Sequence, residues 1–161
     1  MLDKFSSFDI ANKKFQVISM SLQFKDFYDV LKENLENSEE IYASFIDDGP
    51  DLFDLLCNVL NAKSIDSFTR LEINAAIAYY VIPLDTISEQ YYGPRGYTDD
   101  IFLTTYVLRD IADRLGYDFL QNFWKRNDDV ESVISRCYQK TLNLLDDEEV
   151  ESILEYSGLI E

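Results

Sequence analysis

The chain has 161 residues, 47% of them hydrophobic, with 31 acidic side chains against 14 basic ones and a formal net charge of −17. That length is enough for one domain whose core needs no disulfide or metal, while the acidic excess disfavours nucleic-acid backbones and anionic lipid, which are bound mainly through basic side chains. Histidine is absent, which removes Ser-His-Asp and Cys-His nucleophile systems, the imidazole base and every His-ligated zinc site.

From the N-terminus, Leu2, Phe5, Phe8, Phe15, Ile18 and Met20 fall at imperfect helical spacing. The same stretch lacks a basic region followed by an apolar run, so no signal peptide is expected. Phe24, Phe27, Leu31 and Leu35 line one face of a helix ending near Asn37. A short helix is expected from Ser38 through Ile46, then a break at Asp47, Asp48, Gly49 and Pro50. Pro50 suits the first turn of the next helix, which carries Leu52, Leu55, Leu56, Val59 and Leu60.

The segment from about Ser67 to Ile82 is apolar nearly all round, with Phe68, Leu71, Ala75, Ala78, Tyr79 and Ile82 on one face and Ile73, Ile77 and Val81 on others. Such a helix is expected to be packed on several sides and central. Pro83 ends it, and Gly93, Pro94 and Gly96 keep the connection irregular. Thr98 or Asp99 is placed to cap a strong helix to Leu115, with Ile101, Thr105, Leu108, Ile111 and Leu115 as its stripe. Gly116 is suited to end it, and Arg109 with Asp113 and Asp110 with Arg114 read as i,i+4 pairs on its outer side. A short helix from Tyr117 to Lys125 follows, then a long one capped by Asp128 or Asp129, and a last one from about Asp147 to Tyr156 ended by Gly158.

No β-alternation of useful length, repeat or linker interrupts this pattern. The expectation is an all-α fold: a compact single-domain bundle of seven to nine helices over residues 1–161, around a central hairpin at about 65–116. Cys57 and Cys137 are too few for a thiolate zinc site and read as buried free thiols in a reducing compartment. The longest nearly uncharged run, Ile73 to Leu84, is too short to cross a bilayer. A cytoplasmic protein without membrane insertion follows.

Within the hairpin, Tyr79, Pro83, Asp85, Ile87 and Glu89, followed by Gly96, Tyr97, Asp99 and Asp100, resemble the YkvA-like family, a bacterial and archaeal domain of unknown function. Its signature is an apolar helix ending in Pro-x-Asp-x-Ile, a short loop, Gly-Tyr or Gly-Leu, and Asp-Asp opening a second apolar helix. Ser88 departs from it, standing where proline is commonest, and the loop is about one residue longer than usual. The resemblance implies a helical hairpin with a tightly held connection, and it brings no established reaction or cofactor.

Two explanations of the motif stay open. In one, Asp85 accepts backbone N–H bonds after Pro83, Asp99 caps the next helix, Asp100 lies against its dipole, and Arg95 neutralises a carboxylate. In the other, Asp85, Glu89, Asp99 and Asp100 converge as hard oxygen ligands suited to Mg²⁺, Mn²⁺ or Ca²⁺, with a metal-activated water as the hydrolytic extreme. With no nucleophile–base pair and no Gly-rich phosphate loop, the functional expectation is a non-enzymatic protein acting through a protein partner or its own copies. Tyr91, Tyr92 and Tyr97 are candidate contact residues. The other alternative is an acidic inhibitor or polyanion mimic, built from Glu36, Glu39, Glu40, Asp47, Asp48 and Asp51 together with Asp146, Asp147, Glu148, Glu149 and Glu151.

Overall fold

A computed structural model describes residues 24–38, 43–81 and 96–160. The N-terminal pattern from Leu2 to Met20, the Pro83 turn, Ile87, and the candidate contact residues Tyr91 and Tyr92 lie outside them. Among the described residues the chain is all-α: α1 (Phe24–Glu36), a 3-10 helix (Ser44–Asp48), α2 (Gly49–Leu60), α3 (Ser67–Val81), α4 (Thr98–Leu115), α5 (Tyr117–Gln121), α6 (Val130–Leu144) and α7 (Asp147–Ser157).

α4 is the central helix. It packs on α2, α3, α5, α6 and α7, and Ile101, Leu103, Val107, Leu108 and Ile111 along it are fully buried. One hydrophobic core joins residues of α1 through α7, from Leu31 and Leu35 to Ile153 and Leu154. Its aromatic content is used in edge-to-face pairs: Phe53 meets Phe27 at 5.3 Å and Tyr80 at 5.1 Å between ring centroids, an arrangement the ring quadrupoles favour. Cys57 and Cys137 are buried and not joined in a disulfide. Burial, then the nearby Asp48 charge, pushes the Cys137 thiol up to about 12.

Helix ends with local signals form as the residues dictate. Asp129 precedes α6 in extended backbone and accepts from the Ser132 N–H at 2.8 Å. Asp146 and Glu149 make a reciprocal capping box on α7. Gly158 closes that helix at φ 76°, ψ 16°, where a side chain would be strained. Gly116 ends α4 at φ 88° and ψ 153°, positive-φ backbone, outside the left-handed helical well, that suits glycine alone.

Other expectations are corrected. The Asp47–Pro50 break does not occur, because Asp48 and Gly49 both hold helical backbone and lead from the 3-10 helix straight into α2. A Cβ on Gly49 would lie 3.2 Å from Ile101 Cδ1, so the glycine serves close approach to α4 instead of a turn. α5 stops at Gln121, short of the expected Lys125. On α3 the buried side chains are Thr69, Glu72, Ile73, Ala76, Ile77, Tyr79 and Tyr80. Phe68 and Leu71, expected inside, are 57% and 67% exposed.

Candidate functional site

Two polar constellations sit where α3 and α4 pack together. The first is at the motif. Asp99 and Asp100, in the first turn of α4, are 0% and 1% exposed. Asp99 Oδ2 accepts from the Tyr79 hydroxyl at 2.8 Å, and its Oδ1 accepts from the Asp100 N–H at 3.1 Å. A buried carboxyl group is thus met by a phenol from α3 and by an amide in the first turn of its own helix. The capping expectation is corrected: the N-cap position is Tyr97, with no side-chain cap, and Thr98 and Asp99 lie inside the first turn. Gly96 and Tyr97 form a turn of 3-10 helix leading in, which moves the helix entrance back. The Tyr97 hydroxyl is anchored instead of displayed, accepting from Asn34 Nδ2 of α1 at 3.2 Å.

Tyr80 and Thr104 bury hydroxyls in the same region, neither with a partner at ordinary hydrogen-bond distance among the described residues. Burial, then the charge of Asp100, raises the Tyr80 phenol well above its usual range. Of the four carboxylates considered as metal ligands, Asp99 and Asp100 are adjacent here, and Asp85 and Glu89 lie outside the described residues. Among the described residues no group of three or more Asp, Glu or Cys is arranged to hold a metal ion.

The second constellation was not anticipated. Glu72 of α3, 5% exposed, makes an ion pair with Arg114 of α4. Arg114 also donates through Nε and Nη2 to Asp110 Oδ2 at 3.1 and 2.9 Å, and through Nη1 to Thr69 Oγ1 at 2.9 Å. Its guanidinium lies 4.8 Å from the Phe68 ring centroid, within cation–π range. Burial raises the Glu72 carboxyl to about 7, the hydrogen bond and charge of Asp110 push the same way, and Arg114 opposes them. Tyr106, also facing the pair, has its phenol raised by burial and then by Asp110.

These groups floor a cavity of about 500 Å³ between α3, α4 and the end of α7, lined by Phe68, Leu71, Glu72, Tyr106, Asp110 and Leu159 among others. The Asp110–Arg114 pair is present and exposed as expected, with Asp110 also lining this groove. Arg109 forgoes the expected Asp113 pairing geometry to lie 4.0 Å from the Tyr138 ring centroid. A lone carboxylate between Leu71 and Ile73 in an otherwise apolar helix was the available signal for Glu72.

Two members of the first acidic run, Asp48 and Asp51, are paired within the molecule, and Glu39 and Glu40 lie outside the described residues. Asp48 accepts from Arg126 Nη1 at 2.6 Å and Arg136 Nη2 at 2.8 Å, Arg126 also reaches Asp51 and Asp128, and Lys125 lies 2.9 Å from Asp54. Arg126 is correspondingly held charged.

The fold and these buried carboxyls define an all-helical protein organised on the central helix α4, with α3 packed against it and acidic residues on their facing surfaces. Within that class, the chain belongs to the family described as protein of unknown function (DUF1232), whose pattern matches residues 69–106. An uncharacterized protein, ORF9, of Methanothermobacter thermautotrophicus is 31% identical over 111 residues, covering 69% of this chain and 76% of that protein. The matched family segment holds Glu72, Tyr79, Asp99, Asp100 and Tyr106, so the likeness read from the motif is upheld. No solved structure matches the chain. Among the described residues no helix is long and apolar enough to cross a membrane.

Proposed function

We propose that this protein is a non-enzymatic binding module that holds a segment of a partner protein in the groove between α3, α4 and α7. The observation that carries the reading is the exposure of Phe68 and Leu71, 57% and 67%, at the edge of a cavity of about 500 Å³. Large side chains left out of a core and set beside a concavity supply the apolar centre that protein interfaces use, with Glu72 and Asp110 as polar groups to fix orientation. The polyanion-mimic alternative is weaker, because Asp48 and Asp51 of its first run are paired with Arg126 and Arg136 inside the molecule.

The test is affinity capture with the wild-type chain and with Phe68→Ser/Leu71→Ser. A protein captured by the wild type and lost from the variant, at equal melting temperature, supports the reading. Identical capture by both, or capture of this chain alone, overturns it.

A second reading rests on a different observation, the burial of Asp99 and Asp100 side by side. Joined by Asp85 and Glu89, they would offer hard oxygen ligands to Mg²⁺, Mn²⁺ or Ca²⁺. Calorimetric titration with each ion decides it: heat and a raised melting temperature, both abolished in Asp100→Asn, support the site, and their absence removes it.

A further inference from the structure

The groove described above has an unequal charge count. Its floor brings two carboxyls, Glu72 from α3 and Asp110 from α4, to one guanidinium, Arg114. Arg114 is spent on both carboxyls and on Thr69 at once, with Phe68 along its face. Of the other groups around Glu72, Tyr106 of α4 is a neutral phenol, Asp66 at the start of α3 adds negative charge near Arg114, and α7 lines the groove with Ser157, Gly158 and Leu159, none of which titrates. The groove also lies at the C-terminal end of α7, the partially negative end of that helix. With both carboxyls ionised, the floor holds one negative charge more than its arginine balances, in a chain that already carries −17. Beside this floor stands the apolar shelf of Phe68 and Leu71.

We propose that the partner segment presents a lysine or arginine side chain to the Glu72–Asp110 pair, with its alkyl stem and an apolar neighbour lying on Phe68 and Leu71. This rests on the groove reading and names the chemistry of its occupant. A cation that reaches the pair replaces the proton Glu72 otherwise retains: one positive charge enters, the Glu72 proton leaves to solvent, and the charge of the groove is unchanged. The stem is accommodated because such side chains lay their methylenes along apolar surface while the charged end seeks a carboxylate. Binding therefore strengthens as pH rises toward 7 and levels off above it.

The experiment titrates the full chain with n-hexylammonium, n-hexanol and n-hexanoate, following the Phe68, Leu71 and Glu72 side-chain signals by NMR. These probes share a stem and differ in charge. Hexylammonium is expected to bind more tightly than hexanol at pH 8, to weaken by about tenfold at pH 6 as Glu72 takes its proton, and to lose its advantage over hexanol in Glu72→Gln. If hexanol matches hexylammonium at the same residues, the groove stands and the cation inference falls. Preference for hexanoate also overturns it. If no probe moves Phe68 or Leu71, both readings fail together. Leu71→Ser serves as the second variant: it should weaken hexylammonium and hexanol alike, and a loss confined to hexylammonium would contradict the shelf's role.

Discussion

Replacing Glu72 by glutamine isolates the least ordinary charge in the molecule. Glutamine has the shape of a protonated glutamate, can still accept from Arg114, and can donate to the Asp110 carboxylate, so the groove should keep its geometry. In the wild type the Glu72 carboxyl is raised from its ordinary 4.5 to about 7, first by burial and then by Asp110. The folded state therefore holds a proton that the unfolded chain has released. The stability this gives is present below about 4.5, falls as pH rises through the window from 4.5 to 7, and is flat above it. A full shift of this size sets the upper bound, and screening at the open groove reduces it to about 2 kcal/mol. Glu72→Gln lacks this loss. Urea unfolding followed by the fluorescence of Trp124, the one tryptophan and a buried one, would give both stabilities between pH 5 and 8. The variant should gain on the wild type by about 2 kcal/mol across that range. A difference constant to within about 0.5 kcal/mol would refute the claim that Glu72 resists ionisation, and a variant that loses ground as pH rises would reverse its sign.

Tyr79→Phe removes the buried phenol that donates to Asp99 at 2.8 Å; leaving that carboxylate short of a donor should cost about 2 kcal/mol in urea unfolding, and a cost below about 0.5 kcal/mol would mean the contact contributes nothing net. Asp48→Asn breaks the bridge between Arg126 and Arg136 and should destabilise by about 1–2 kcal/mol, a modest figure because both arginines are partly exposed. That difference should shrink in about 1 M salt, where the screening length is roughly 3 Å. On α3, Leu71→Ser should stay within about 0.5 kcal/mol of wild type, whereas Ile73→Ala, at a fully buried position, should cost about 3 kcal/mol. Equal costs for these two would mean that the outward face of α3 is covered.

Where one residue decides the local backbone, the sequence was a good guide. Pro50 in the first turn of α2, Asp129 ahead of α6 and Gly158 after α7 all sit where their chemistry places them. The motif was legible in outline: two apolar helices packed together, with aspartates at the start of the second. What the aspartates bond to was not, because the Tyr79 hydroxyl reaches Asp99 across the α3–α4 interface and no spacing rule reports a cross-helix contact. Asp-Asp-Gly-Pro misled for a related reason. Its turn signal is local, while the side chains that steady Asp48 in helical backbone, Arg126 and Arg136, come from 78 and 88 residues away.

The outward face of α3 was beyond periodicity altogether. A helix apolar on all sides has no preferred buried face by hydropathy, so the choice falls to its few polar side chains. Arg70 donates to the carbonyls of Leu60 and Ala62 at 2.9 and 3.0 Å, satisfying backbone at the end of α2. Arg114 draws Glu72 and Thr69 toward α4. Together they set the rotation of α3, and Phe68 and Leu71 are carried outward as a result. Hiding each of those side chains would be worth about 2 kcal/mol, whereas the same rotation would take Arg114 from the buried Glu72 carboxyl and Arg70 from the Leu60 and Ala62 carbonyls, costing about 1–3 kcal/mol for each group left without its donor. The polar pair therefore wins the rotation, and the same choice that buries a carboxylate opens the apolar shelf beside it.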